Sequence, residues 1–210
     1  MMAKEMMVKK MVGKKPVVKK TSGRNNLIIG GKNVTDILNQ KYKALKKTGW
    51  ITLLNAPLDK YMEVNTEAIR VLVEDFGFQG VYITVNRPFS DLMTEFSEAG
   101  LDTSKLRFVD AISQMYGHKA EDSKQCRYVP GPLSIEAISK AVRDFIPEIK
   151  TPQGKIFVFI DSITTVLLYN HLPRTVRFSD FLTKDLRKMK VNGIMVSVAA
   201  GMTSERLVKK

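Results

Sequence analysis

The chain has 210 residues, of which 44% are hydrophobic and 26% are charged, values typical of one ordinary globular domain. Its single cysteine excludes an internal disulfide and a multi-cysteine metal site, and no apolar run is long enough to cross a bilayer. The first residues carry too many lysines to resemble a secretory signal. We therefore expect a cytoplasmic protein without a transmembrane segment.

The net charge of +13 is concentrated near the amino terminus. Residues 1–49 contain 13 basic and 2 acidic residues, a net +11, which leaves +2 for the rest of the chain. We interpret residues 1–26 as a basic arm and residues 27–210 as one domain. The candidate polyanion-binding residues of the arm are Lys9, Lys10, Lys14, Lys15, Lys19, Lys20 and Arg24.

Three interpretations of the basic arm remain open. Closely spaced lysines neutralise phosphates and release counterions, which suits nucleic acid or another polyanion. The first dozen residues also place methionines opposite lysines at helical spacing, a pattern that suits an anionic membrane or the groove of a protein partner. A solvated tail is the third interpretation. The arm has no aromatic residue to stack on bases, so it does not indicate sequence-specific recognition.

Beyond the arm, the first predicted elements are a helix, a strand and a second helix. The segment "NVTDILNQKYKALKKTG" has the spacing of an amphipathic helix, and Asn33 can cap its start. An apolar strand follows at residues 50–54. A turn is predicted at Asn55-Ala56-Pro57, and then a helix over residues 58–76.

The rest of the chain continues the alternation. Four more strands are predicted at residues 81–85, 105–110, 155–161 and 193–199, with helices in "RPFSDLMTEFSEAG", in "LSIEAISKAVRDFI" and at residues 174–190. Ser90 is the expected cap of the first of these helices, and residues 111–132 read as a long irregular connection. Strands joined by long helices require crossover connections, so we predict an α/β fold: a doubly wound, mainly parallel five-stranded sheet.

Ligands of such sheets bind beyond the carboxyl ends of the strands, where three polar residues lie. Asn86, Asp110 and Asp161 end the second, third and fourth predicted strands. Asp161 with Ser162 can hold Mg²⁺ beside a phosphate, or can cap the following helix. The spacing alone favours the cap.

Several linked segments resemble one protein family. The segments "KIFVFIDSITTVLLYNHLPRTVRFSDFLTKDLRKMKVNGIMVSV", "GVYITVNRPFSDLMTEFSEAGLDTSKLRFVDAISQ" and "CRYVPGPLSIEAIS" are similar to the KaiC-like and archaeal RecA-related branch of the RecA superfamily. The resemblance covers about residues 48–200. It implies a RecA-like P-loop NTPase fold with Asp161 at the Walker B position.

The sequence departs from that family where the chemistry of hydrolysis would be. An active member carries a glycine-rich loop ending in Gly-Lys-Ser/Thr, whose amides and lysine hold the phosphates. Here the corresponding residues read "NAPLDKYMEVN". Pro57 has no amide donor, Asp59 and Glu63 add negative charge, and no hydroxyl residue follows Lys60. The resemblance also implies a catalytic glutamate after the second strand, where this chain has Asn86 and Arg87.

We therefore expect a degenerate ATPase: a P-loop NTPase fold without a functional P-loop, with no catalytic residue, metal or cofactor. The first hypothesis is a non-hydrolysing regulatory or scaffold domain with a protein partner, present as a monomer or small homo-oligomer. The alternative is a nucleotide sensor or weak ATPase that binds ATP and Mg²⁺. Its vestigial nucleotide and Mg²⁺ candidates are Asp161, Ser162, Lys60, Asn86 and Asp110. His118 and His171 lack partners at metal-ligand spacing.

Overall fold

The computed structural model describes residues 28–29, 31–45, 47–118, 120–152 and 154–199. The predicted basic arm, with all seven of its candidate residues, lies outside the described residues. The strands are β1 (Ile28–Ile29), β2 (Lys32–Asn33), β3 (Ile51–Pro57), β4 (Gln79–Thr84), β5 (Leu106–Asp110), β6 (Cys126–Tyr128), β7 (Ile156–Asp161) and β8 (Asn192–Ala199). The helices are α1 (Val34–Ala44), α2 (Tyr61–Arg70), α3 (Phe89–Glu98), α4 (Ile135–Phe145), α5 (Ile163–Tyr169) and α6 (Leu172–Lys188).

A parallel sheet with the strand order β3-β8-β7-β4-β5-β6 forms the centre of the fold. The predicted five-stranded sheet is therefore one strand too small. The additional strand, β6, lies inside the segment predicted as irregular, and it pairs with β5 through Phe108 and Cys126. Three residues among polar and proline-rich neighbours show no strand periodicity, so β6 owes its conformation to pairing with β5.

Strand β7 shows why the sheet is covered on both faces. Phe157 and Phe159 belong to one hydrophobic core, with residues of α1, α2 and α3. Val158 and Ile160 belong to a second core, with residues of α4, α5 and α6. Successive side chains of a strand point to opposite faces, so a continuous apolar strand requires a helical layer on each side. This arrangement confirms the predicted doubly wound α/β fold.

The turn predicted at Asn55-Ala56-Pro57 is wrong, because β3 continues through Pro57. Residues Ile51 to Pro57 pair in register with Gly193 to Ala199 of β8. Proline has no N–H group, but β3 lies at the edge of the sheet and is paired on one side only, where that loss is tolerated. A 3-10 turn, Leu58–Lys60, follows the strand directly and leads into α2.

The helix boundaries confirm one predicted cap and correct another. Asn33 caps α1 by accepting a hydrogen bond from the amide of Asp36 at 3.3 Å. Ser90 lies inside α3, which begins at Phe89, so the prediction of Ser90 as its cap is wrong. The carboxylate of Asp110 instead accepts from the amide of Phe89 at 2.7 Å, so a side chain of β5 serves the start of α3.

The segment after β7 forms two helices. The predicted helix at residues 174–190 corresponds to α6, which begins two residues earlier, and α5 precedes it directly after the β7 strand. Ser162 caps α5, since its hydroxyl oxygen accepts from the amide of Thr165 at 3.2 Å. Within the described ranges, no helix is both long and apolar enough to cross a membrane.

Candidate functional site at the carboxyl edge of the sheet

The register of three neighbouring strands determines which side chains meet at the carboxyl edge. Thr84, the last residue of β4, is level with Asp110 of β5 on one side and with Asp161 of β7 on the other. Asn86 and Arg87 follow just beyond Thr84, so they reach the same edge. The sequence prediction that these polar residues share one edge is therefore correct.

The carboxylate of Asp161 is fully buried and is surrounded by donors from β4 and the residues after it. The hydroxyl of Tyr82 donates to Oδ2, and Nη2 of Arg87 lies 3.2 Å from the same oxygen. The side-chain amide of Asn86 donates to Oδ1 at 3.2 Å. Each oxygen of Asp161 thus has a protein donor, and one of the donors is a cation.

The donors of Asp161 are held in turn by the two helices above this edge. Arg87 forms a second ion pair with Glu95 of α3, and Asn86 also donates to the hydroxyl of Tyr61 of α2 at 2.9 Å. The contacts therefore join β4, β7, α2 and α3 into one polar network. Such a network holds each donor in place and keeps it from turning towards a ligand.

Burial and the charge of Arg87 have opposite effects on the pKa of Asp161. Burial raises the pKa of Asp161 to about 7, whereas the adjacent guanidinium of Arg87 favours the ionised form. Burial also raises the pKa of Tyr82 far above its usual range, so the phenol keeps its proton and acts as a donor. The ring of Tyr82 stacks on Phe159 with the centroids 5.1 Å apart, which fixes its direction.

Asp110 has a structural environment that differs from that of Asp161. Its Oδ1 accepts from the amides of Ile112 at 2.9 Å and Ser113 at 2.8 Å. Its Oδ2 accepts from the hydroxyl of Ser113 at 2.6 Å and from the amide of Phe89. Four donors satisfy this buried carboxylate, and they position the loop after β5 and the start of α3.

The remaining candidates have partners of their own. Lys60 is partly exposed and pairs with Glu63 at 3.1 Å, and the hydroxyl of Ser162 is used to cap α5. Of the five vestigial candidates, the structure brings Asp161 into contact with Asn86 and places Ser162 next in the chain. It places Lys60 and Asp110 in separate hydrogen-bond networks.

Three members of the network were not predicted from the sequence: Tyr82, Glu95 and Tyr61. A tyrosine inside the otherwise apolar strand "GVYITV" was a usable signal, because a buried phenol requires a hydrogen-bond partner. The sequence identified Arg87 only as one of two residues in place of the catalytic glutamate that the resemblance implies, and it did not indicate the ion pair with Asp161.

The donor set of Asp161 can be tested against Mg²⁺, the ion that a Walker B carboxylate would serve. Magnesium requires a free carboxylate oxygen and a nearly octahedral shell. Both oxygens of Asp161 are engaged, and the cation Arg87 is one of the donors. In the part of the chain that the structure describes, no group of three or more His, Cys, Asp or Glu residues could hold a metal ion. As arranged, these residues do not fit Mg²⁺.

Comparisons with known proteins agree with the sheet topology. A KaiC-like protein of the hyperthermophilic archaeon Pyrococcus horikoshii superposes with a TM-score of 0.50 at 20% identity, covering 77% of this chain and 67% of that one. An uncharacterised protein of P. horikoshii, solved in complex with an unknown peptide, gives 0.57 at 13% identity, covering 82% and 77%. At these identities the likeness shows the fold alone. No curated protein matches the chain.

A match between the sequence and a protein-family model identifies the family. The family model described as "ATPase: KaiC" matches residues 69–208, well over half of the chain. This range includes β4 and β7, at whose ends Asp161 contacts Tyr82, Asn86 and Arg87. The chain therefore belongs to the KaiC ATPase family.

Proposed function

We propose that this KaiC family member is a regulatory or scaffold protein that does not hydrolyse ATP and that acts through contacts with a protein partner. The observation that carries the proposal is the ion pair between Asp161 and Arg87. The guanidinium of Arg87 contacts Asp161, the carboxylate that the family resemblance assigns to the Walker B position.

Hydrolysis requires this carboxylate to face a Mg²⁺ ion or its water shell, and requires a base that orients the attacking water. To meet a metal, Asp161 would have to release Tyr82, Asn86 and Arg87. The buried hydroxyl of Tyr82 would then lose its acceptor, at a cost of about 1–3 kcal/mol, and Asn86 and Arg87 would each lose one of their two partners. Asn86 and Arg87 also provide no carboxylate that could act as the base.

The region after β3 supports the same conclusion. The strand runs through Pro57 and passes directly into the turn Leu58–Lys60, with no glycine in between. A phosphate loop needs several backbone amides pointing to one centre, and glycines that allow close approach. Pro57 has no amide to contribute, and Lys60 is paired with Glu63.

One similar structure, from P. horikoshii, contains an unknown peptide. A peptide or protein segment is the ligand class that we propose for this chain, and nucleic acid or another polyanion is a second ligand for the basic arm.

Calorimetric titration with Mg-ATP, together with a phosphate-release assay, tests the loss of hydrolysis. We expect no release above background, and the same heat from the native protein and from Asp161→Asn. Asp180→Asn is the matched control, since it removes an exposed carboxylate that pairs with Lys184 on α6. Hydrolysis or tight ATP binding that disappears in Asp161→Asn alone would overturn the proposal and support the nucleotide-sensor alternative.

A further inference from the structure

A cleft of about 590 Å³ lies between α4 and α6, on the face of the sheet opposite to α1, α2 and α3. Its polar lining includes Ser139 and Arg143 of α4 and Arg174 and Arg177 of α6. We call it the arginine cleft. None of its lining residues belongs to the Asp161 network.

The arginine cleft carries an excess of positive charge. Its lining has three arginines and one carboxylate, that of Glu136, and Arg143 also pairs with Asp185 at 3.1 Å, which leaves a net +1 when His171 is counted as neutral. Arg174 lies 3.5 Å from Glu136, but both side chains are at least half exposed, so this ion pair is weak. In the described part of the chain, no carboxylate pairs with Arg177. The cleft therefore favours an anion.

A buried hydroxyl without a partner points to the same conclusion. Ser139 is only 3% exposed and lines the cleft, yet its Oγ has no hydrogen-bond partner. Buried polar groups are satisfied in the great majority of cases, so an unsatisfied one calls for an explanation. A ligand oxygen in the cleft would accept a hydrogen bond from this hydroxyl.

Two helices also begin beside the cleft with no side-chain cap. Ser134 precedes α4 and His171 precedes α6, and neither side chain accepts a hydrogen bond from the first turn. The first turn of α6 has no acidic residue and contains Arg174 instead. A cation at the positive end of a helix disfavours that helix, so Arg174 has a local cost that an anionic ligand would offset.

A single side chain holds the two helix starts together. Asn170, between α5 and α6, is 7% exposed and donates to the carbonyl of Pro132, just before α4, at 3.1 Å. The same amide donates to the carbonyl of Val166 at 3.0 Å. The residues before the two helices are therefore linked in the free protein, which lowers the entropic cost of binding between them.

We propose that the arginine cleft binds a small phosphorylated ligand. The negative charge of a phosphate monoester is complementary to the positive lining, and planar guanidinium groups bind phosphate oxygens in pairs. The hydroxyl of Ser139 donates to the same group. The volume suits a small molecule, and the apolar lining of Ile135, Pro173 and Phe178 suits the organic part of an ester.

Calorimetry on the full chain tests this assignment with inorganic phosphate and phenyl phosphate as probes. We expect phenyl phosphate to bind more tightly, because its ring meets the apolar wall. Arg177→Gln should weaken binding about tenfold or more, as expected for the loss of a charge-assisted hydrogen bond. Arg187→Gln is the matched control, since it makes the same change near the other end of α6 and should leave binding unchanged.

Ser139→Ala separates a ligand role from a structural one. The hydroxyl has no partner in the free protein, so its removal should not lower the unfolding midpoint, but it should weaken phenyl phosphate binding several-fold. ATP heat that persists in Asp161→Asn and is lost in Arg177→Gln would support the cleft as a phosphate site, and it would leave the proposal on hydrolysis intact.

Two outcomes would overturn the proposal. One is phenyl phosphate binding that is equal in the native protein and Arg177→Gln, which would place the phosphate elsewhere, such as on the basic arm. The other is absence of binding at millimolar phenyl phosphate. If a hexaglutamate peptide then bound in an Arg177-dependent manner, the cleft would be a site for an acidic protein segment instead.

Discussion

Arg87 and Asp161 are separated by 74 residues in sequence, and Nη2 of Arg87 lies 3.2 Å from Oδ2 of Asp161. The pair forms because Thr84 and Asp161 are level in adjacent strands, which places Arg87 just beyond the end of β7. Asp161 is fully buried and Arg87 is 17% exposed, so the interaction is screened far less than a surface ion pair. One strand register thus explains why the carboxylate at the end of β7 faces a cation.

The raised pKa of Asp161 predicts an unusual pH dependence of stability. Its pKa in the folded protein is about 7, against about 3.9 for an unfolded aspartate. Between these values the folded state keeps a proton that the unfolded state releases, so the free energy of unfolding falls as pH rises from about 4 to about 7. The full effect is at most about 4 kcal/mol, and Arg87 reduces it.

Urea unfolding of the native protein and Asp161→Asn across this pH range measures the effect. The difference between their free energies of unfolding should change with pH in favour of the variant as pH rises, and should level off above about pH 7. Contributions of the other carboxylates cancel in the difference. Parallel curves would show that Arg87 keeps Asp161 ionised throughout, with no raised pKa.

Substitution of a buried arginine, Arg70, should cause a large loss of stability. Arg70 of α2 is 3% exposed and pairs with Glu67 at 3.3 Å and with Glu74 at 3.2 Å. It also donates to the carbonyl of Ala99 at 2.5 Å, at the end of α3. Arg70→Met should lower the free energy of unfolding by about 3–5 kcal/mol, since it leaves the buried carboxylate of Glu67 without its cation and the end of α3 without its donor.

Chemical denaturation compares Arg70→Met with Lys140→Met, which breaks an exposed pair with Asp144 on α4. The control should change stability by less than about 0.5 kcal/mol. Equal, small effects of the two substitutions would mean that the network around Arg70 contributes no net stability.

The central strands could be predicted from the sequence, but the contacts between them could not. Strand β7 was predictable because its uninterrupted apolar residues require two covered faces. The cap by Asn33 was predictable because it acts on an amide three residues away. Both signals are local. The course of β3 through Pro57 and the formation of β6 depend on partner strands that no local pattern identifies.

The same distinction applies to the candidate site. Sequence reasoning placed Asn86, Asp110 and Asp161 at one edge, because all of them end parallel strands. It could not assign their hydrogen bonds, which depend on strand register and on α2 and α3. Asp110 is bound by its own loop and by the start of α3, whereas Asp161 is bound by Arg87 and Tyr82. Two similar strand ends therefore have different environments.

The close contact between β4 and β7 makes Gly80 a sensitive position. Gly80 is level with Phe157, and a methyl group on Gly80 would lie 2.5 Å from the ring of this fully buried phenylalanine. Because the ring cannot shift without disturbing the core, Gly80→Ala should lower the free energy of unfolding by about 1–3 kcal/mol. Adding Phe157→Leu should recover part of the loss, and additive effects of the two changes would contradict this account.

The charge of the basic arm, read from the sequence, predicts salt-dependent binding to DNA. Residues 1–26 carry eight basic residues and one acidic residue, a net +7, more than half of the total charge of +13. If the arm neutralises phosphates, the affinity of the full chain for duplex DNA should fall steeply with salt, with a log–log slope of about −0.9 for each phosphate contacted.

Deletion of residues 1–26 should then abolish DNA binding at moderate salt and leave the unfolding midpoint unchanged. A matched variant that replaces Lys9, Lys10, Lys14 and Lys15 by glutamine should reduce the slope by about 4, because each lysine contributes about one counterion. Fluorescence anisotropy over a range of salt concentrations provides both quantities. If the deletion variant binds DNA as well as the full chain does, the polyanion site lies on the folded domain, where the arginine cleft is the surface to test next.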